Sequence, residues 1–236
     1  MTKKMFSKKM ALTATACAAA LALTAVPAAS ATTYVDETEP NNLIGNATPV
    51  KVGDTLCGVL DSNESNDWFK INTPVAGQYT LDFYSNNPAG YYQKVALYDN
   101  SRNEINYILP NTDDYSRNWI RATLPAGVAY VQVSRKIQSD NDWQYELKLN
   151  YNPSTPALHA PKTTKTTLSA SWSKVSNATG YQVKVGGKTY KTSSNKIKVT
   201  GLKSKKTKSV MVRAYSTLDG NTFYGDWSAT RTVHTK

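Results

Sequence analysis

Cysteine is close to absent from this 236-residue chain: Cys17 and Cys57 are the only two. Cys17 lies in a leader-like stretch, so a processed chain keeps Cys57 alone, which excludes an internal disulfide framework and leaves stability to packing or metal. Cys57 itself stands in an apolar run, Thr55-Leu56-Cys57-Gly58-Val59-Leu60, where a lone thiol reads as a small hydrophobe and not as a nucleophile. Histidine is equally scarce. His159 and His234 are the only two, one in a Pro-rich stretch and the other two residues from the end. Neither is placed to serve a Ser or Cys nucleophile as base, which argues against that class of hydrolase. Glu64 and Asp67, three residues apart in a turn, suit metal ligation better than an acid and base held apart across a sugar. Acidic residues nearly vanish from the second half: after Pro153 only Asp219 and Asp226 remain. The longest apolar run, Met10–Val26, is shorter than the about twenty residues that a membrane span needs, so no transmembrane segment is expected.

That apolar run has another use. Lys3, Lys4, Lys8 and Lys9 precede it and Ala29-Ser30-Ala31 follows it, the basic, apolar and small-x-small order of an export signal. Residues 1–31 are therefore expected to be a signal peptide, and the remainder secreted. Charge divides that remainder. Residues 32–153 hold nine Lys and Arg against fifteen Asp and Glu, a net of −6, while residues 154–236 hold fifteen against two, a net of +13. The break falls at Asn152-Pro153-Ser154-Thr155-Pro156, which cannot continue a central strand. Two domains are expected, 32–152 and 160–236, with 153–159 as a short stiff linker.

No stretch keeps a helical period, and short alternating runs rich in Tyr, Trp, Thr and Val recur between turn clusters, so both domains are expected to be all-β. The first offers Asp67–Asn72, Gln78–Tyr84, Val95–Tyr98, Tyr107–Leu109, Trp119–Leu124 and Val128–Arg135. The second offers Thr167–Trp172, Ala178–Val185, Ile197–Leu202, Val210–Tyr215 and Thr222–Ser228.

Two segments near the start are crowded with oxygen-bearing side chains: Asp36-Glu37-Thr38-Glu39-Pro40-Asn41-Asn42, and the turn Asp61-Ser62-Asn63-Glu64-Ser65-Asn66-Asp67 before Trp68-Phe69. Such residues favour turns for local reasons, and they are equally the ligand type of Ca²⁺, which takes roughly six to eight oxygens. The E-x-E-P-N-N opening, the G-x-L strand end and the Asp-Trp-Phe-Lys-Ile run resemble the bacterial pre-peptidase C-terminal domain family and the related collagen-binding domain of bacterial collagenases, over about Thr33–Asn152. That resemblance implies a jelly-roll β-sandwich with Ca²⁺ between the first segment and the turn, held by Glu37, Glu39, Asn41, Glu64 and Asp67. Asn42 and Glu64 depart from the pattern, in which Asp is expected at both places.

The same resemblance points to a ligand face along Val128–Arg135, where Tyr130 is the single aromatic that the register yields, which argues against collagen. Exposed rings give contact area at little entropic cost, and Tyr91-Tyr92, in a Gly/Pro/Asn-rich loop, are the pair expected to be exposed. Tyr98, Tyr107, Tyr115, Trp119, Trp143 and Tyr145 are further candidates. In the second domain, Trp172, Gly180-Tyr181-Gln182-Val183, Gly201-Leu202, Val212-Arg213-Ala214-Tyr215 and Tyr224-Gly225-Asp226-Trp227-Ser228 resemble a fibronectin type III module, an immunoglobulin-like sandwich that serves as spacer or adhesive surface. Its densest basic group, Lys203, Lys205, Lys206 and Lys208, suits long-range attraction to a polyanion, although lysines also blunt exposed strand edges. Specific nucleic-acid binding is not expected, since no recognition motif accompanies the charge. The sequence thus predicts a secreted, non-catalytic protein that binds an extracellular protein or glycan. The alternative is a cell-wall-associated protein held on anionic wall polymer by its basic module.

Overall fold

The computed structural model describes residues 33–62, 65–85, 93–110, 118–136 and 142–236. These form two β-sandwiches. Alternation of apolar and polar side chains dictates the first, because a strand with one greasy edge must bury it against another layer. One sheet has the order β1 (Tyr34–Asp36), β3 (Thr55–Leu60), β10 (Trp143–Asn152), β5 (Gly77–Ser85), β8 (Asn118–Leu124); the facing sheet runs β2 (Thr48–Lys51), β4 (Asn66–Thr73), β9 (Gly127–Arg135), β6 (Gln93–Tyr98), β7 (Glu104–Ile108). Inward residues such as Leu56, Phe69, Tyr79, Phe83, Val131 and Leu147 fill the space between them. Among the described residues no helix is long and apolar enough to cross a membrane.

Strand β10 is missing from the sequence-based reading, yet it is the middle of its sheet. It alternates Trp143, Tyr145, Leu147, Leu149 and Tyr151 inward and pairs with β3 on one side and β5 on the other. Its inward rings are also why Trp143 and Tyr145 fail as exposed candidates: they are 5% and 2% exposed. Cys57 is half-buried on β3.

The N-terminal segment crosses between the layers. β1 lies parallel to β3 at the edge of one sheet, and β2 lies parallel to β4 at the edge of the other. Residues 37–47 therefore bridge the open side of the sandwich, and they include a cis peptide between Glu39 and Pro40.

The second sandwich packs a three-stranded sheet, β11 (Lys162–Thr163), β12 (Leu168–Ser171) and β15 (Lys196–Val199), against β14 (Lys188–Thr192), β13 (Gly180–Val185), β16 (Thr207–Leu218) and β17 (Asn221–Tyr224), with β18 (Arg231–His234) also on β16. Trp172 is fully buried at its centre, with the Tyr181 ring edge-on at 5.3 Å. Thr222–Ser228 yields a strand only as far as Tyr224.

The two sandwiches touch through the β16–β17 hairpin. Phe223, 7% exposed, and the partly buried Leu218 belong to the hydrophobic cluster of the first sandwich. The Asn221 side-chain amide donates to Val52 O at 3.2 Å, and the Asn177 amide donates to Ala76 O at 3.2 Å. Gly53, at φ +94°, makes room: a Cβ there would sit 2.8 Å from Asn221 and Phe223. Between the sandwiches the backbone is packed as well. Pro153, Pro156 and Leu158 are buried, and Leu158 bridges to Trp172.

Candidate metal centre and aromatic face

The bridging segment and the start of β4 bring three carboxylates together. One oxygen each from Glu37, Glu39 and Asp67 lie within 4.8 Å of one another. A Ca²⁺ ion stands about 2.4 Å from each oxygen ligand, so oxygens on opposite sides of it are separated by about this distance. Asn41, fully buried, faces the same point. Its amide nitrogen, turned that way, donates to Glu39 Oε1 and Asp67 Oδ1, each at 3.1 Å; turned by half a revolution, the amide oxygen takes that place and three oxygens converge with no proton between them. In that second orientation the amide nitrogen donates to Glu37 Oε2 instead, at 3.3 Å. Glu64 lies outside the described residues.

A tyrosine that the sequence-based reading assigned to a binding platform sits at the centre of the cluster. The Tyr145 hydroxyl is 2.6 Å from Asp67 Oδ2 and 3.1 Å from Glu37 Oε2. It has one proton for two acceptors, so it leaves one carboxylate facing a lone pair. Burial, followed by the Asp67 and Glu37 charges, pushes the phenol well above its usual range and keeps it protonated. Burial is also the main reason the Glu37 carboxyl rises from 4.5 to about 7, helped by the neighbouring Glu39 charge and opposed by the Val59 N–H, Tyr145 and Asn41. Gly58 is a second unrecognised participant. A Cβ there would stand 2.3 Å from the Tyr145 ring and 2.8 Å from Glu37 Oε2, so only glycine allows the phenol and the carboxylate to meet.

The centre is tied to the outer face of the β2–β4–β9–β6–β7 sheet. The Trp68 N–H donates to Asn41 O at 3.0 Å, and Trp68 follows Asp67, so carboxylate and ring point to opposite sides of one strand. Register builds the face in cross-strand rows: Tyr107, Ala96, Gln132 and Trp68 in one, Glu104, Tyr98, Tyr130 and Lys70 in the next. Trp68 and Tyr98 rings stand 5.1 Å apart, and the Lys94 ammonium lies 4.6 Å from the centre of the Tyr107 ring. Tyr98 donates to Gln132 Oε1, and the Gln132 amide donates to Asn66. Burial, with Glu104 next, raises the Tyr98 hydroxyl to about 12.

Tyr130 is thus not alone, and this corrects the expectation of a single aromatic on the face. Trp68 was assigned to a strand but not to the platform, and Tyr98 and Tyr107 could be joined to Tyr130 only through pairings that a linear pattern does not reveal. Trp119, on the other sheet, is 56% exposed with the Arg121 guanidinium 5.7 Å from its ring. Tyr91 and Tyr92, like Tyr115, lie outside the described residues. The lysines predicted as a basic group are scattered around a turn: Lys203, Lys205 and Lys206 are exposed, their backbone pinned by the Thr235 hydroxyl, and Lys208 lays its stem along Gly186.

No family model matches the chain, and no curated protein matches it. Solved structures do. The pre-peptidase C-terminal domain of collagenase from Bacillus anthracis is 19% identical, with a TM-score of 0.37, over 44% of this chain and 94% of that one. A fibronectin type III protein named FN3tt mut is 15% identical, with a TM-score of 0.29, over 36% of this chain and 98% of that one. The chain is similar to both. A β-1,2-glucanase from Parabacteroides distasonis is 14% identical, with a TM-score of 0.31, over 78% of this chain but 32% of its own length.

Proposed function

We propose that this is an extracellular, non-catalytic binding protein that holds an extended protein or polysaccharide strand on the outer face of its β2–β4–β9–β6–β7 sheet. One observation carries the reading: Trp68, Tyr98, Tyr130 and Tyr107 share that face, with Gln132, Asn66, Lys94 and Glu104 between them as hydrogen-bonding groups. Flat rings interleaved with polar tips suit a chain-like ligand that offers apolar patches and hydroxyl or amide groups in alternation. Half-burial of Trp68, Tyr98 and Tyr130 fixes their rotamers beforehand, which lowers the entropic cost of binding.

Calcium belongs to the same reading. Glu37, Glu39, Asn41 and Asp67 would hold the ion, and Glu64 is the fifth ligand that the family resemblance implies. The donor set fits a hard cation, since it offers only oxygens, and a cation there would offset the burial and the Glu39 charge that raise the Glu37 carboxyl. The ion would lock the bridging segment and, through the Asn41–Trp68 hydrogen bond, steady the edge of the aromatic face.

A glycan and extracellular-matrix array identifies the ligand, and substitution then tests the surface. Combined Trp68→Ala and Tyr130→Ala should weaken binding by about tenfold or more, about 1.4 kcal/mol per factor of ten, with folding checked by circular dichroism. Trp119→Ala, on the opposite layer, should leave affinity unchanged. Equal loss from Trp119→Ala and none from the pair would move the binding surface elsewhere.

A further inference from the structure

The second sandwich carries most of the positive charge, and the strand register arranges part of it into a grid. On the outer face of its three-stranded sheet, Lys162 and Lys198 flank Ser169, while Lys196 lies opposite Ser171. On the other side of Ser171 stands His159, whose N–H donates to Ser171 O and whose Nδ1 is 3.4 Å from Ser171 Oγ. One row therefore reads Lys162, Ser169, Lys198, and the next reads His159, Ser171, Lys196. All six residues are exposed. Adjacent strands are about 4.8 Å apart, and rows two residues apart are separated by about 6.7 Å.

The two lysine–serine rows border an open cavity of about 580 Å³, to which Ser194 adds a further hydroxyl and no carboxylate contributes. Ammonium groups gathered on one side of a cleft repel one another and concentrate positive potential within it. An anion lying between them relieves that repulsion. Two lysines on either side of a serine suit a tetrahedral anion whose charge is shared by two oxygens pointing apart, and the second row, one step along the strands, has Lys196 and Ser171 with His159 in the third place.

We propose that this face binds a phosphodiester-linked polyol polymer. Lys162 and Lys198 each take one non-bridging oxygen of a phosphate while the Ser169 hydroxyl donates to it from the sheet, and Lys196 with Ser171 serves the next phosphate. The site is independent of the aromatic face on the first sandwich. It also differs from a general effect of net charge, because Lys203, Lys205, Lys206 and Lys208 lie outside it.

Titration calorimetry of the full chain with glycerol phosphate oligomers, at low and high salt, tests this. The Lys162→Gln, Lys196→Gln, Lys198→Gln triple variant removes three charges; the Lys203→Gln, Lys205→Gln, Lys206→Gln, Lys208→Gln variant removes four. The triple variant should weaken binding by about tenfold and flatten its salt dependence, and the quadruple one by about twofold. An unchanged melting temperature of both variants shows that the fold is intact. Single-stranded DNA and polyglutamate should bind the parent chain more weakly than the oligomers do. A quadruple variant that loses as much as the triple one, equal binding of DNA, or no binding of the oligomers by the parent chain would each overturn the proposal.

Discussion

Calcium is expected to raise the melting temperature of this chain, and a chelator to lower it. An ion bound only by the folded state, at about 100 times its dissociation constant, adds about 2.7 kcal/mol, which corresponds to roughly 5–10 °C for a chain of this size. Acidity sharpens the expectation. The Glu37 carboxyl is raised to about 7 in the fold against an ordinary value of 4.5, so between those values the folded state binds the extra proton. Metal-free stability should then be greatest below about pH 4.5 as far as this group is concerned, and should fall as pH rises towards 7. Calcium competes with that proton, so its stabilising effect should be small at about pH 5 and large at about pH 8. Calorimetric melts at both values, with and without calcium, read the difference. Asp67→Asn keeps the side chain's shape but removes one of the carboxylate charges facing the ion, and should sharply weaken the calcium response. Identical melts in calcium and chelator at the higher pH would remove the metal from the account.

Loss of the Phe223 ring should be felt in both sandwiches. Phe223 extends from β17 into the hydrophobic cluster of the first sandwich and is 7% exposed, so Phe223→Ala should cost about 3–5 kcal/mol where the packing cannot collapse into the gap. Since the ring belongs to one sandwich by sequence and to the other by contact, its removal should also separate their unfolding. The parent chain is expected to melt in one transition and the variant in two. Differential scanning calorimetry distinguishes these, and Tyr224→Ala serves as the control, since Tyr224 is 40% exposed and lies beside Arg213 on the second sandwich. Two transitions in the parent chain, or one in the variant, would show that the contact does not couple the sandwiches.

Much of the fold was legible because its strands alternate cleanly. Asp67–Asn72, Gln78–Tyr84 and Val128–Arg135 each lie within one residue of the observed strand ends. What escaped was β10, whose Trp143-Gln144-Tyr145-Glu146-Leu147-Lys148-Leu149 alternates as well as any but whose aromatic content drew it towards a platform reading. The short edge strands β1 and β2 escaped for a different reason. Three or four residues carry too little pattern, and their place is fixed by parallel pairing with β3 and β4.

The candidate site divides in the same way. Glu37, Glu39, Asn41 and Asp67 could be named because their two segments, crowded with oxygen-bearing side chains, resemble those of the pre-peptidase C-terminal domain family, and the ligand set is what that resemblance implies. Tyr145 and Gly58 could not, because one offers a hydroxyl and the other an absence of side chain, and both act only through distances across the sandwich. Tyr98 and Tyr107 joined Trp68 and Tyr130 by register, which a linear sequence leaves open. The phosphate-binding grid arose likewise: Lys162, Lys196 and Lys198 do not stand out in sequence beside the denser Lys203–Lys208 run.

The most direct measurement of the account is hydrogen exchange at the Trp68 amide, which donates to Asn41 O and is therefore the joint between the carboxylate cluster and the aromatic face. Added calcium should slow exchange there by about tenfold or more, while the amides of β16 in the second sandwich stay as they were. An exchange rate at Trp68 that is the same in calcium and in chelator would contradict the claim that an ion on Glu37, Glu39, Asn41 and Asp67 holds that face in place.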